Sequence, residues 1–270
     1  MAKLFSVLSW NVEHFKGEVK KRVDDVTAQI KNLNPDVFAL YEVEGKEVFS
    51  SFTSIMPDYN FHITEGQQTQ EILVGAKNNF SSFFTQKLEF KSGNQYLRPG
   101  ALLTVTINTQ SYSLLFLHTK SGTSPLGLGI RDDMFIRACS FRNVLEGAAK
   151  NWSTKYLFLG DLNTMGMDYP YGKSINAKTE IKKLAEKEAS KVKMRILKKD
   201  EPASWWNGSK SKTPPSNLDQ VVVSDNLKFR KYSGAEVTVL GWPKESTVEK
   251  KNEWIKRYSD HGIIYFEILE

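Results

Sequence analysis

Tyr156-Leu157-Phe158-Leu159-Gly160-Asp161-Leu162-Asn163 is the stretch on which the reading of the fold turns. Four apolar residues in succession, too few for a helix and bounded by polar ones, read as a strand buried on both faces. Gly160 permits a tight turn, so Asp161 and Asn163 are expected at the open end of a sheet, where side chains converge on a ligand. A carboxylate and a carboxamide two residues apart have complementary uses. The first accepts a proton from water, and the second donates hydrogen bonds to an oxyanion. Asp and Asn also follow strands simply to make turns, so the weight of the motif rests on partners elsewhere in the chain.

Those partners sit at other strand ends. Leu4–Trp10 reads as a strand ending at Asn11. Val23, Val26, Ile30 and Leu33 recur at helical spacing and Asn34-Pro35 stops that helix. Asp36–Tyr41 is a second buried strand, which delivers Glu42. Gly45–Met56 reads as a helix, and strand-like runs follow near Tyr59–Thr64 and Glu71–Lys77. The stretch from Asn78 to Gly100 is punctuated by Gly, Asn and Pro. Ala101–Asn108 and Ser113–Leu117 predict a hairpin whose second strand ends at His118. Thr119–Gly129 reads as a loop and Arg131–Trp152 as a long helix. Beyond Asn163 comes a loop to Ser174, a lysine-rich helix over Thr179–Lys199, a strand over Leu218–Val223 that carries Asp219, and a last strand, Ile263–Ile268, preceded by Asp260-His261. Any one of these polar residues has a bland reading as a turn former or a hydrogen-bonded side chain. Their recurrence at the same kind of place, with two of only four histidines among them, does not.

In order, Ser9-Trp10-Asn11-Val12, Pro35–Glu42, Leu117-His118, Gly160-Asp161-Leu162-Asn163, Leu218-Asp219-Gln220-Val221 and Ser259-Asp260-His261 resemble the motifs of the endonuclease/exonuclease/phosphatase superfamily, the deoxyribonuclease I-like phosphoesterases. The resemblance implies a four-layer α/β sandwich, two mainly antiparallel sheets packed face to face with helices outside, in one domain over residues 1–270. It also implies a Mg²⁺- or Mn²⁺-dependent hydrolase. Glu42 would be the metal ligand, since hard carboxylate oxygens suit Mg²⁺. Asp260 would be a second ligand, with Asn11 orienting the carboxylate or a metal-bound water. Asp161 would take the proton of the attacking water, and Asn163 would hold that water or a phosphate oxygen. Asp219 and His261 look like a carboxylate–imidazole pair, and His118 would meet another phosphate oxygen or the leaving group. Glu71, in Gln70–Val74, resembles a glutamate that pancreatic-type deoxyribonucleases aim at the first catalytic histidine; a charge at a strand start is the competing reading.

Within the superfamily, Leu40-Tyr41-Glu42-Val43-Glu44 lacks the Gln and Lys that abasic-site endonucleases place around the metal glutamate. Ser204-Trp205-Trp206 resembles the aromatic segment those enzymes hold near an extruded nucleotide, so Trp205 and Trp206 join Lys120, Arg131 and Arg137 as substrate-binding candidates. From Lys178 to Lys199 there are nine basic residues against three acidic, with Lys183, Lys187 and Lys191 at i, i+4 spacing: a phosphate grip or a solvated helix face.

Bulk properties fit. A net charge of +6, from 37 Lys and Arg against 31 Asp and Glu, tilts the chain toward anionic partners. A single cysteine excludes an intramolecular disulfide and suits a reducing compartment. The first residues show no signal-peptide pattern, and no run approaches a membrane span. The expectation is a cytoplasmic monomer that hydrolyses nucleic acid, DNA foremost. The alternatives are an enzyme of the same fold acting on an inositol phosphate or sphingolipid, and a non-catalytic binding module. No zinc-spaced Cys/His cluster is present.

Overall fold

A computed structural model describes residues 1–17, 20–66, 70–91, 97–149 and 153–270. The chain divides into two compact units, each built from separated segments: Met1–Ser81 with Lys198–Ser216 and Lys228–Glu270, and Ser82–Leu197 with Asn217–Leu227. Each unit is a mixed β-sheet with helices.

The first unit carries a seven-stranded sheet. Its order is Lys228–Phe229, Ile263–Leu269, Lys3–Lys16, Val37–Glu44, Gln70–Lys77, Tyr59–Ile63, and Thr238–Leu240 also pairs with Ile263–Leu269. Lys3–Lys16 and Val37–Glu44 run parallel because the helix Lys20–Leu33 carries the chain back between them. That helix ends where the sequence predicts, at Asn34 (φ 46°) before Pro35. Alternation along the strands places Leu8, Trp10 and Val12, with Phe38 and Leu40, in one core with Val23, Val26, Ile30, Val48 and Phe52. Each such buried aliphatic or aromatic side chain stabilises by about 1.5–3 kcal/mol. The first strand is longer than expected. It does not stop at Asn11 but runs to Lys16, and its register with the neighbouring strand shifts between Asn11 and Phe15.

In the second unit the sheet has six strands, ordered Met194–Ile196, Asp219–Ser224, Lys155–Asp161, Gln110–His118, Gly100–Ile107, Ser81–Lys87. Gln110–His118 and Lys155–Asp161 are parallel, joined through the helix Pro125–Ala149. The predicted hairpin is present, with Asn108 and Thr109 (φ 49° and 67°) forming its two-residue turn. Tyr156, Leu157, Phe158 and Leu159 are all fully buried, as a strand covered on both faces requires. Tyr156 and Phe158 share a core with Met134, Phe135, Ala138 and Leu184.

Two helices differ from expectation. Pro125–Ala149 starts before Arg131 because Pro is tolerated in a first turn, where no intrahelical N–H partner is needed; residues 150–152 of the expected helix lie outside the described residues. The lysine-rich helix is α-helical only over Ala177–Lys183, capped by Asn176 Oδ1 on Thr179 N at 2.8 Å. It continues as a π turn, Leu184–Ala189, and a 3₁₀ turn, Ser190–Val192. Lys183, Lys187 and Lys191 therefore do not follow the i, i+4 geometry of one α-helix, although all three are exposed. Among the described residues no helix is long and apolar enough to cross a membrane.

Candidate active site

In the first unit the polar residues gather where the sheet breaks register. A second irregularity falls between Leu40 and Val43, and Glu42 sits in it with φ 62°, a left-handed conformation that a non-glycine residue adopts only when its surroundings impose it. The bulge turns Glu42 out of the strand's alternation. Its Oε1 accepts from Asn11 Nδ2 and its Oε2 from the backbone N–H of His14, both at 3.0 Å. Asn11 Oδ1 in turn accepts from Glu13 N at 2.9 Å. Asn11 is thus a bracket that fixes Glu42 on one side and the Glu13–His14 bulge on the other.

Asp260 and His261 are held by indoles. Trp205 Nε1 donates to Asp260 Oδ2 at 2.7 Å, Trp242 Nε1 to Asp260 O at 3.0 Å, and Trp10 Nε1 to His261 O at 3.0 Å. Ser259 Oγ donates to Asn11 O at 2.7 Å and accepts from His261 N at 3.0 Å, which ties the segment to the first strand. The His261 Nε2–Asp260 Oδ1 separation is 3.9 Å. Burial pushes the Asp260 carboxyl up to about 6. The charges of Glu13 and Glu42 push the same way, against the pull of His261 and the Trp205 hydrogen bond. Glu42 and Asp260 offer hard carboxylate oxygens, the donors that suit a Mg²⁺- or Mn²⁺-sized cation. The donor set fits such an ion.

Within the second unit, sheet pairing aligns three polar residues in one row. His118 lies opposite Asp161, and Asp161 opposite Asp219, on three adjacent strands. All three are at least 95% buried. His118 Nε2 approaches Asp161 Oδ2 at 3.5 Å. The turn expected at Gly160 comes later: Gly160 (φ 139°) stays in the strand, and the chain reverses at Asn163 (φ 46°). Asn163 N donates to Asp161 Oδ1 at 3.1 Å, and its Nδ2 donates to Thr119 O at 3.1 Å, leaving one amide N–H for a ligand. Thr119, which no sequence motif singles out, closes the loop by donating through Oγ1 to Leu162 O at 2.7 Å.

Several sequence-predicted residues have other tasks. Arg131 is fully buried. Nε and Nη2 hold Glu180 at 2.6 and 3.2 Å, Nη1 donates to Lys120 O and Gly122 O at 3.1 and 2.7 Å, and Nη2 to Gly166 O at 2.7 Å. Its donors face protein rather than solvent, so the expectation that it binds substrate is corrected: it clamps the loops that follow His118 and Asn163. Gly127 is part of the same arrangement, since a Cβ there would stand 2.8 Å from Gly122 O. Arg137 is exposed and paired with Asp133 at 2.8 Å, and Lys120 is half-buried. Trp205 offers its indole to Asp260, and Trp206 packs on Trp242 with ring centroids 5.8 Å apart. Glu71 Oε2 accepts from Thr64 Oγ1 at 2.5 Å on the neighbouring strand. Glu13, two residues after Asn11, is not among the sequence-predicted residues; the short Asn-x-Glu spacing at a strand end is its only signal.

With these arrangements in hand, comparison with solved structures is informative about the fold. A truncated TDP2 from Caenorhabditis elegans superposes with a TM-score of 0.66 at 18% identity, covering 98% of this chain and 97% of that one. TDP2 from Danio rerio, solved with a single-strand DNA product, gives 0.63 at 17%, covering 98% and 99%. A mannosyl-6-phosphatase from Bacteroides thetaiotaomicron gives 0.61 at 12%, covering 98% and 100%. Their fold, and this chain's, is the deoxyribonuclease I-like α/β sandwich. Among curated proteins none matches. The sequence itself matches the Endonuclease/Exonuclease/phosphatase family over residues 8–261, which takes in both units and every polar strand end described above. The chain belongs to the endonuclease/exonuclease/phosphatase family.

Proposed function

We propose that the chain is a divalent-metal-dependent phosphodiesterase acting on nucleic acid, one catalytic domain in which both polar sets serve the same reaction. The observation that carries this reading is the row His118, Asp161, Asp219, continued by Asn163, on adjacent strands of one sheet. A structural role does not require three buried titratable side chains in line. Hydrolysing a phosphodiester requires an activated water, neutralisation of phosphate charge, and support for the departing oxygen. Asp161 accepts the water's proton, and Asn163 orients the water or a phosphate oxygen through its remaining amide N–H. His118 and His261 donate to phosphate oxygens, and Asp219 supports an imidazolium. Glu42 and Asp260, with Asn11 and Glu13 beside them, would hold Mg²⁺ or Mn²⁺, which supplies charge stabilisation to the phosphoryl group when bound. The TDP2 with a DNA product supports nucleic acid as the substrate class, and cleavage is expected to leave a 5′-phosphate and a 3′-hydroxyl.

The mannosyl-6-phosphatase neighbour favours a second reading, a phosphomonoesterase for a sugar or inositol phosphate. A substrate panel separates the two. End-labelled single strand, duplex, abasic duplex and RNA, alongside mannose 6-phosphate and inositol phosphates, are incubated with Mg²⁺ or Mn²⁺ and repeated with chelator. Metal-dependent shortening of a labelled strand supports the nuclease. Phosphate release from the small esters with every polymer intact overturns it and leaves the second reading.

A further inference from the structure

A cavity of about 610 Å³ opens beside the Glu13–His14 turn, lined by Glu13, His14, Arg22, Ser209, Lys210 and Lys256 among others. Its wall touches the candidate metal site directly, because the His14 N–H that helps form it donates to Glu42 Oε2. It is a built feature. Arg22 reaches through the first unit to donate to Val12 O and Glu13 O at 2.5 and 2.8 Å and to Tyr258 O at 2.8 Å, which fixes the left-handed Glu13–His14 turn. On the opposite side, the 207–210 loop is pinned to the helix Val248–Arg257. Ser209 N donates to Asn252 Oδ1 at 2.9 Å, Asn252 Nδ2 donates to Ser209 Oγ at 2.8 Å, and a side chain at Gly208 (φ 76°) would press on Asn252 Oδ1 at 2.9 Å.

The lining carries three cations, Arg22, Lys210 and Lys256, against the one carboxylate of Glu13. Arg22 faces backbone carbonyls, but Lys210 and Lys256 are exposed and have no carboxylate partner among the described residues. A comparable cavity of about 690 Å³ on the other side of the same helix shows the contrast. There Lys244 is bound by Asp200 and Glu201 and Arg257 by Asp25, and Lys250 shares the lining with two further carboxylates, Glu245 and Glu253. Two ammonium groups over a polar cavity of ligand size, one wall away from the metal carboxylate, are suited to a phosphate-bearing group extending past the reacting phosphate.

We infer that this cavity seats a nucleotide of a single-stranded nucleic acid, next along the strand from the phosphate being cut, with Lys210 and Lys256 on its backbone. The inference rests on the nuclease reading above. A loop and a helix flank the space, whose volume of about 610 Å³ lies in the range that small ligands occupy.

Binding without turnover tests it: fluorescence anisotropy of a labelled oligothymidylate with the full chain in chelator, across a salt series. Two lost phosphate contacts at about 0.7 each mean that Lys210→Gln/Lys256→Gln should flatten the slope of log affinity against log salt by about 1.4. Ser209→Trp fills the cavity without altering charge, and should weaken binding at every salt concentration while leaving the slope in place. A wild type that binds no single strand, a double variant with the wild-type slope, or equal competition by inorganic tripolyphosphate would each overturn the assignment. A wild type that binds with the predicted slopes yet cuts no polymer once metal is added overturns the hydrolytic reading and sustains the cavity. A wild type that cuts, with both variants binding as it does, overturns the cavity and sustains the hydrolytic reading.

Discussion

Asp260 shows how much of the site's chemistry is set by single hydrogen bonds. Its carboxyl sits at about 6 because burial, with Glu13 and Glu42, outweighs His261 and the indole of Trp205. Trp205→Phe removes the N–H together with the pyrrole half of the indole but keeps an aromatic ring, while the backbone bonds of Trp205 to Ser216 remain. We expect the concentration of Mn²⁺ giving half-maximal activity to rise by about 10- to 100-fold, as removal of an outer partner of a metal ligand does elsewhere. A metal titration of the initial rate measures it, and an unchanged midpoint would show that Trp205 does not act through Asp260. Asp36 makes the opposite case. Burial pushes it up, but hydrogen bonds from Lys77, Lys3 and Ser6 hold it down to about 2. A carboxyl lowered on folding contributes stability that is fully present above the pH where the unfolded chain titrates, about 4, and that is lost as pH falls through about 2. Asp36→Asn should therefore cost about 1–2 kcal/mol at pH 7, allowing for solvent screening, and progressively less below pH 4. Urea unfolding of both proteins at neutral and acid pH checks the sign.

Among elements, the buried strands are legible in the sequence, and where they end and what clamps them are not. Short apolar runs such as Tyr156–Leu159 and Val37–Tyr41 mark the strands, so the residues that follow them, Asp161 and Glu42, can be picked out from sequence. Where the backbone bulges is another matter. The φ of 62° at Glu42 arises from a register shift against the Gln70–Lys77 strand, a pairing of distant segments. Arg131 misleads for a similar reason. A cation in a helical pattern reads as surface, and it is distant Glu180, with the carbonyls of Lys120, Gly122 and Gly166, that makes burial tolerable. The lysines of Lys178–Lys199 read as one helix because sequence spacing does not reveal a π turn. Edge strands as short as Met194–Ile196 carry too few residues for alternation to show. The helix Val248–Arg257 has no fully buried residue, and its contact with the core rests on the half-buried Trp254, followed by Tyr258 just past its end. The Arg131–Glu180 clamp carries its own prediction. Arg131→Met leaves a carboxylate buried without its cation and should destabilise by about 3–5 kcal/mol, whereas Arg131→Met with Glu180→Gln should recover part of that loss. Chemical denaturation followed by circular dichroism measures both. Equal stability of the single variant and wild type would show that the pair holds nothing.

For the whole molecule, the proposed reaction depends on cooperation between residues that the chain contributes from two compact units. Asn11, Glu42, Asp260 and His261 come from one, and His118, Asp161, Asn163 and Asp219 from the other. The family match over residues 8–261 takes in both. Groups that act on one phosphate have strongly non-additive effects, since losing any one already removes most of the shared transition-state stabilisation. Losses from groups in separate sites multiply. The deciding measurement is a double-mutant cycle on kcat/KM for a metal-dependent phosphodiester substrate, pairing Glu42→Gln with Asp161→Asn at saturating Mn²⁺. A shared reaction predicts that each single change costs at least about 100-fold, and that the double variant falls within about tenfold of the weaker single one. If the two losses multiply, or if either single variant keeps wild-type activity, the polar sets do not serve one reaction.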